Sequence, residues 1–302
     1  AISGTACTAV ITSAGLKALS EASHSFSVAI SDEAGNAATA HTSTSFTVDR
    51  TVAAASESTA VSDPTKDTTP DAVISVAEAG TIAVGGTNGC ALSSTSTMAS
   101  GTNTITLGAI GTGDGAYVCT VTFTDTASNA AASVSLTSFT LDTTAPTIST
   151  VAFASGDYVN NAEDESAIDL VITMSDTSAN GRTATATLNS ADYTCTISSN
   201  ACTASITSAG LKALSDGTSY SFSVAISDAA GNAATAHTAE SFLYDITAPS
   251  ISNVVASWGD YLNAAEDNAA GTVTVTTLNA ADTSTVTVTG MGVTDTCSTG
   301  SN

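Results

Sequence analysis

The run CTAVITSAGLKALS that begins at Cys7 returns almost letter for letter as CTASITSAGLKALS at Cys202. Likewise, SFSVAISDEAGNAATAHT at Ser25 returns as SFSVAISDAAGNAATAHT at Ser221. A chain that copies itself this closely folds as an array of like units, because every copy obeys the same local rules. The first copy lies at the N-terminus and the second deep inside the chain. Residue 1 is therefore expected to fall within a unit and not at its start.

Recurrent punctuation divides the chain. Runs containing an Asp close on Thr-Ala-Pro at DTTAP (Asp142–Pro146) and DITAP (Asp245–Pro249), with a degenerate relative, DRTVA, at Asp49–Ala53. The expected modules are 53–145 and 146–248, with a C-terminal module part at 1–52 and an N-terminal module part at 249–302. The two end pieces complement each other. GDYLNAAED at Gly259 matches GDYVNNAED at Gly156, and Cys297 takes the place that Cys195 holds in the third segment. Joined end to start they make a further unit of about 105 residues, an ordinary domain size. About three modules per 302 residues follow, one of them split across the chain ends and completed by the next copy. Two routes lead there. The polypeptide continues covalently into the next copy, or separate subunits complete each other head to tail by strand addition.

Charge removes one class of partner. Five basic residues against 28 acidic ones give a net charge of −23, whereas nucleic acid requires clustered Lys and Arg. No stretch has the length and hydropathy of a membrane-spanning helix. The six cysteines form no C-x-x-C pair, which argues against zinc. They fall two to a module: Cys90 with Cys119, Cys195 with Cys202, and Cys297 with Cys7 of the next copy. One disulfide per module implies an oxidising, extracellular setting. Buried free thiols are the alternative.

The clearest element is SYSFSVAISD, in which Phe222, Val224 and Ile226 alternate with small polar residues, the period of a half-buried strand. AYVCTVTFTD repeats it with Cys119 in the place of Phe222, so Cys119 should point inward to a partner, Cys90, on the facing sheet. Alternation recurs in GTVTVTT, STVTVTG, NTITLGAI and ESFLYD. The turns DGTSY, DGAY, AAGN and ASN supply Gly and Asn for positive φ. The best helical candidate, SAGLKALS, is a single turn between strands. An all-β chain of small Greek-key β-sandwiches is expected.

These motifs carry a resemblance. LSDGTSYSFSV at Leu214, SDAAGN at Ser227, the D-x-T-A-P junction and GDYVNNAED at Gly156 make the chain resemble tandem bacterial immunoglobulin-like repeats of giant secreted surface proteins and adhesins. TPDAVISVAEAGTIAVGG, NTITLGAI and DGAYVCTVTFTD mark a second variety of the same repeat. The resemblance implies immunoglobulin-like sandwiches on a cell surface or in an extracellular filament, acting as spacer, stalk or fibre wall. The alternative is a calcium-dependent adhesive module for carbohydrate or a host surface. DRTVA lacks the proline and SDPTKDTTPD at Ser62 opens on another pattern, so the first junction is expected to differ from the other two.

The acidic clusters are the candidate site. Asp157, Glu163, Asp164, Glu165 and Asp169 lie early in one module, and Asp260, Glu266 and Asp267 in the next. Asp142 and Asp245 sit in junctions, and Asp32, Asp125 and Asp228 precede the Gly-Asn or Ser-Asn turns. Calcium takes six to eight oxygens, and carboxylates from a junction, an early loop and a late loop can converge at a seam between modules. The resemblance to calcium-stiffened stalks implies that role, with Asp142, Asp157, Glu163, Asp164, Asp228, Asp245, Asp260, Glu266 and Asp267 as the ligand candidates. Solvated loops and Asx turns explain the same residues without a metal. Acids repeated along a stalk do not make a glycosidase, and His24, His41 and His237 sit on strand positions, so no enzyme is expected. The pairs Trp258 with Tyr261 and Phe153 with Tyr158 either stack on sugars or plug module ends.

Overall fold

The computed structural model describes residues 6–300 except 87, 109, 111–112, 240, 281–283 and 291. The chain divides into two compact units, Ala1–Thr144 and Ala145–Asn302, and each contains one complete sandwich.

In the first unit, one sheet runs Ser56–Thr59, Asp71–Val76, Gly101–Thr106. The second runs Val134–Ser135, Cys119–Asp125, Gly80–Gly86, Thr97–Met98. All neighbours are antiparallel. Period two decides which face is inside. Ala72, Ile74 and Val76 point inward from one sheet, and Cys119, Val121, Phe123 and Asp125 from the other. An edge ribbon adds Gly115–Tyr117 to Phe139–Leu141, with Thr65 bridging Leu141 in parallel. Gly86, at φ 135°, faces Cys119; a Cβ there would come within 2.3 Å of the Val118 carbonyl oxygen.

The second unit repeats this plan. Ile148–Phe153, Ile168–Met174 and Ala201–Ile206 form one sheet, and Ala191–Thr196, Thr183–Leu188, Ser223–Ala225 and His237–Thr238 the other. Phe242–Tyr244 pairs antiparallel with Thr218–Tyr220 and parallel with Tyr158–Val159. The chain crosses between sheets after the hairpin of Thr183–Leu188 and Ala191–Thr196, then returns to pair beside Ile168–Met174. This is the Greek-key crossover of an immunoglobulin-like sandwich. SYSFSVAISD, expected as one strand, is broken at Ser221–Phe222 into two pairings, one in the edge ribbon and one in the main sheet. The helix is a single turn, Ser208–Lys212. Thr207 caps it by accepting a hydrogen bond from the Gly210 N–H at 3.2 Å, and Leu211 is buried beneath it.

Both cores are aliphatic with a few aromatic rings. Phe153, Phe222 and Phe242 pack with centroids 4.8–5.7 Å apart in the second unit. In the first, Tyr117 stacks on Phe139 at 5.7 Å. A disulfide joins Cys90 to Cys119, and another joins Cys195 to Cys202. The second links the two sheets directly, since Cys195 and Cys202 lie on strands of opposite sheets. The first corrects the sequence expectation. Cys90 is not on a strand of the facing sheet but in the loop that leaves Gly80–Gly86. That loop crosses over through the Ala91 carbonyl, which accepts from the Gly108 N–H, and the Leu92–Leu107 bridge.

Outside the two sandwiches the chain forms paired strands without a buried core. Residues 6–52 contain the capped turn Ser13–Lys17 and two short ribbons, Ser23–His24 with Phe46–Thr47 and Ser27–Val28 with His41–Thr42. Residues 249–300 contain two hairpins, Ser250–Ala256 with Val273–Leu278 and Thr285–Gly290 with Val293–Ser298. No described residue in either segment is buried.

Candidate functional site

The late loops are built alike. Asp125 accepts from the backbone N–H and the side-chain amide of Asn129, both at 2.8 Å. Asp228 does the same with Asn232 at 2.9 and 3.0 Å, and Asp32 with Asn36 at 2.7 and 2.8 Å. The motif Asp-x-x-x-Asn is thus a closed turn in which one carboxylate satisfies its own asparagine. Asp32 is held below the ordinary carboxylate range by the Asn36 side chain and backbone. Burial works to raise Asp125, but the Asn129 side-chain and backbone donors outweigh it and the carboxyl ends below its ordinary value.

Within the first unit, one such carboxylate meets a seam. Carboxylate oxygens of Asp49, Glu78 and Asp125 all lie within 4.8 Å of one another, with Asp125 buried and the other two half-buried. Asp49 comes from the junction, Glu78 from the turn between the strands Asp71–Val76 and Gly80–Gly86, and Asp125 from the late loop. The Asn129 side-chain amide also reaches the Asp49 backbone carbonyl at 3.2 Å, and Glu78 accepts from the Ala53 N–H at 2.9 Å. Residues 49–53 are thereby tied to the sandwich that follows them. Junction, early loop and late loop thus converge here, on a trio that includes none of the nine named candidates.

Six of those nine have other partners, and three are exposed. Asp142 and Asp245 each accept from the N–H two residues ahead, at Thr144 and Thr247, both at 3.1 Å. Glu163 and Asn160 exchange hydrogen bonds at 3.0 and 3.1 Å, as do Glu266 and Asn263 at 3.1 and 3.2 Å, a reciprocal capping arrangement. Asp228 holds Asn232. Asp157 and Asp260 are exposed, as is Asp267. Asp164 is buried beneath Tyr244, whose hydroxyl donates to Oδ2 at 2.6 Å, while Oδ1 has no hydrogen-bond partner. Burial, then the Asp164 carboxylate, pushes the Tyr244 phenol up to about 12. Among the described residues, these nine do not gather into a group of three.

A different acid position recurs at every module exit, and sequence reasoning passed over it. Asp114, in the DG turn, accepts from the Thr143 N–H at 2.8 Å and from the Thr143 and Thr144 hydroxyls. Asp216, in the equivalent turn, accepts from the Ile246 N–H at 2.9 Å and from the Thr247 hydroxyl. Glu21 accepts from the Thr51 hydroxyl at 2.9 Å. Each acid clasps the threonine of the outgoing junction, 29 to 31 residues downstream. The threonine hydroxyls hold Asp114 and Asp216 below the ordinary carboxylate range. The first junction shares the Asp-to-Thr turn of the other two, but its clasp is different: Glu21 accepts from the Thr51 hydroxyl, whereas Asp114 and Asp216 each also accept from a backbone N–H. Its Asp49 accepts from the Thr51 N–H at 3.3 Å, so the turn does not depend on the missing proline. The signal was legible in principle: an acid, Asp-Gly in two cases and Glu21-Ala22 in the third, 28 or 29 residues before the junction Asp.

Of the aromatic pairs, Phe153 packs on Phe222 and Phe242 while Tyr158 is exposed. Trp258 covers Gly271, where a Cβ would come within 2.4 Å of the ring, and Tyr261 is exposed.

The segments at either end present faces that the complete sandwich hides. Ile11, Phe26 and Val28 are 45%, 42% and 60% exposed, whereas their counterparts Ile206, Phe222 and Val224 are fully buried. In the C-terminal segment, a cleft of about 400 Å³ is lined by Trp258, Val273, Val288 and Cys297. Cys7 and Cys297 are free and exposed.

Known structures of similar architecture include fibronectin(III)-like modules of Clostridium thermocellum CbhA, with 14% identity, TM-score 0.38, and coverage of 64% of this chain and 95% of that one. A 1.5-MDa bacterial ice-binding adhesin matches at 23% identity and TM-score 0.36, over 78% of each chain. A bacterial immunoglobulin-like domain from the M. primoryensis ice-binding adhesin matches at 24% identity and TM-score 0.25, over 34% of this chain and 95% of that one. The chain resembles bacterial immunoglobulin-like modules of this kind. No protein-family model matches it, and no curated protein does. The immunoglobulin-like fold itself stands on the strand pairing and the two cores described above. Among the described residues, no helix is long and apolar enough to cross a membrane.

Proposed function

We propose that this chain is a structural repeat segment of an extracellular filament or giant cell-surface adhesin, serving as a spacer or fibre wall. The observation that carries this reading is the recurrent exit clasp: Glu21 on Thr51, Asp114 on Thr143 and Thr144, and Asp216 on Ile246 and Thr247. An acid that fixes the last residues of each module sets how the chain leaves it, which is what a joint in a stalk requires. The two disulfides suit an oxidising, extracellular compartment. The modules at 53–145 and 146–248 act as complete bricks, and the parts at 1–52 and 249–302 are completed by further copies.

Stretching single molecules of the full chain tests the spacer reading. Two unfolding events per chain are expected, one for each complete sandwich, at forces well above those of an unstructured segment. Unfolding with no resolvable force would overturn it. The adhesive reading is favoured only by the exposed rings Tyr158 and Tyr261. A glycan array probed with the full chain separates the two. A flat response supports the spacer, and binding lost in Tyr158→Ala or Tyr261→Ala supports the adhesin.

Calcium belongs to this proposal at one place, the seam trio of Asp49, Glu78 and Asp125. Three carboxylates from three elements suit a hard cation that takes oxygen ligands, and their mutual repulsion is what such an ion would relieve. A melting temperature of the first unit that rises with added calcium, and no longer does so in Asp49→Asn/Glu78→Gln, is the expected result. No shift in either protein removes calcium from the reading.

A further inference from the structure

We infer that residues 250–298 of one copy close onto residues 6–48 of a second copy as a single sandwich, and that Cys297 and Cys7 cross-link the pair. The inference deepens the filament reading and rests on it. Its basis is that the molecule already contains the finished product, in residues 148–244.

The correspondence is positional. In the C-terminal segment, Val286 is opposite Cys297 and Thr285 opposite Ser298. In the complete sandwich, Ala184 is opposite Cys195 and Thr183 opposite Thr196, the same hairpin in the same register. In the N-terminal segment, Thr12 caps Ser13–Lys17 with backbone angles of −69° and 153°, against −70° and 152° for Thr207 before Ser208–Lys212. The two segments therefore hold the conformations they would need when joined. Each lacks what the other supplies. Among the described residues, the N-terminal segment has the strands equivalent to Ser223–Ala225 and His237–Thr238 without the sheet they pair with in the complete copy. The C-terminal segment has the equivalents of Ile168–Met174 and Thr183–Leu188 with one edge of each open.

Register across the joint follows from the complete copy. There, Thr185, Ala186 and Thr187 pair with Ala225, Val224 and Ser223. The transferred pairs are Thr287 with Ala29, Val288 with Val28 and Thr289 with Ser27. Ile172 pairs with Cys202 in the complete copy, which sets Val275 opposite Cys7. The apolar side chains this covers are those now exposed, Ile11, Leu16, Phe26, Val28 and Ile30. Their counterparts are buried at five of five positions. Cys297 and Cys7 then occupy the places of Cys195 and Cys202, which are bonded with Cα atoms 5.8 Å apart. Two S–H bonds break, one S–S bond forms, and two protons and two electrons pass to a disulfide oxidant, which is reduced to two thiols.

The test uses full-length chains carrying Cys7→Ser or Cys297→Ser, mixed under a glutathione redox buffer and run without reductant. The mixture should give a species of twice the 29.5 kDa chain mass, at least tenfold more abundant than in either variant alone. Wild type should give a ladder of multiples. The inference is overturned if the mixture stays at one mass, if either variant alone dimerises as well, or if wild type bonds Cys7 to Cys297 within one molecule. Val288→Asp lies outside both buried cores. It should abolish the cross-link while both sandwiches keep their melting transitions; a cross-link at wild-type yield would also overturn the joint. The stretching signature belongs to each complete sandwich, so it survives failure of this experiment, and the two readings fail separately.

Discussion

Residues 7–42 and 202–238 have almost the same sequence and opposite surroundings. In the second copy, Phe222 and Val224 close a core of some twenty side chains; in the first, Phe26 and Val28 face outward. The capped turn and the late loop with its Asp–Asn pair form in both copies. Short-range hydrogen bonds are thus specified by the local sequence, while burial requires strands that come from elsewhere in the array. The largest expected effect tests this contrast directly. Phe222→Ala should destabilise the second unit by about 3–5 kcal/mol, the usual cost of emptying a large buried ring. Phe26→Ala in the uncross-linked chain should cost less than about 0.5 kcal/mol, the range of surface substitutions. Calorimetry of the two variants gives both values. Equal losses would mean that Phe26 already has a core.

The disulfides extend the contrast to the two complete sandwiches. Cys90–Cys119 spans 29 residues and Cys195–Cys202 only 7. From loop-closure entropy alone, removing them should cost about 3.6 and about 2.4 kcal/mol respectively. Cys90→Ala/Cys119→Ala and Cys195→Ala/Cys202→Ala, compared by denaturant midpoints, would resolve the difference. The same reasoning bears on Cys7, which sits in the place of Cys202 without a bonded partner. Cys7→Ala should leave the stability of the monomeric chain unchanged, and a loss comparable to that of the Cys195–Cys202 pair would erase the contrast.

Much of this was legible beforehand for a physical reason. Period-two alternation in SYSFSVAISD and AYVCTVTFTD reads directly as one buried face, which places Phe222, Val224, Ile226 and Cys119 inward without a structure. Cys90 was misplaced because strand pattern says nothing about where a loop crosses between sheets; Ala91 and Leu92 make that crossing through backbone hydrogen bonds that any residue could form. The acidic candidates were harder. Local composition cannot distinguish an acid that caps its own turn, as Glu163 does through Asn160, from one that reaches a distant threonine, as Asp114 does. Glu78 gave no signal at all. Its place in the trio with Asp49 and Asp125 depends on how the chain turns between two strands.

Tyr244 gives the copies their next difference, since Val48 stands at the equivalent position in the first copy. Its hydroxyl satisfies one oxygen of buried Asp164. Tyr244→Phe should cost about 1–3 kcal/mol, the penalty for leaving a buried acceptor without its donor. The phenol is raised from 10.0 to about 12 in the folded chain. A group raised on folding stabilises fully below its unfolded value and loses that contribution as pH climbs through the folded one. The second unit should therefore weaken between pH 10 and about 12, and tyrosinate absorbance should rise with unfolding. In Tyr244→Phe that alkaline step should shrink, and an unchanged step would assign it to another group.

The smallest expected effect concerns what the copies share. Glu21 clasps Thr51 beside an exposed face, and Asp216 clasps Thr247 beside a closed core. If the clasp is purely local, it should respond to pH without regard to the core. Asp114 and Asp216 are depressed below 3.8 by their threonine donors. Carboxylates lowered on folding contribute above their unfolded value and cease to do so as pH falls through the folded one. Stability should accordingly decline below about pH 3.8, and Asp114→Ala/Asp216→Ala should be slightly weaker at neutral pH and converge on the wild type at low pH, giving a shallower acid limb. These acids are exposed, so the effect is read as a change of slope in circular-dichroism midpoints against pH. An identical acid limb in the double variant would show that the clasp orients the junction without stabilising the sandwich, which leaves its directional role intact and removes its energetic one.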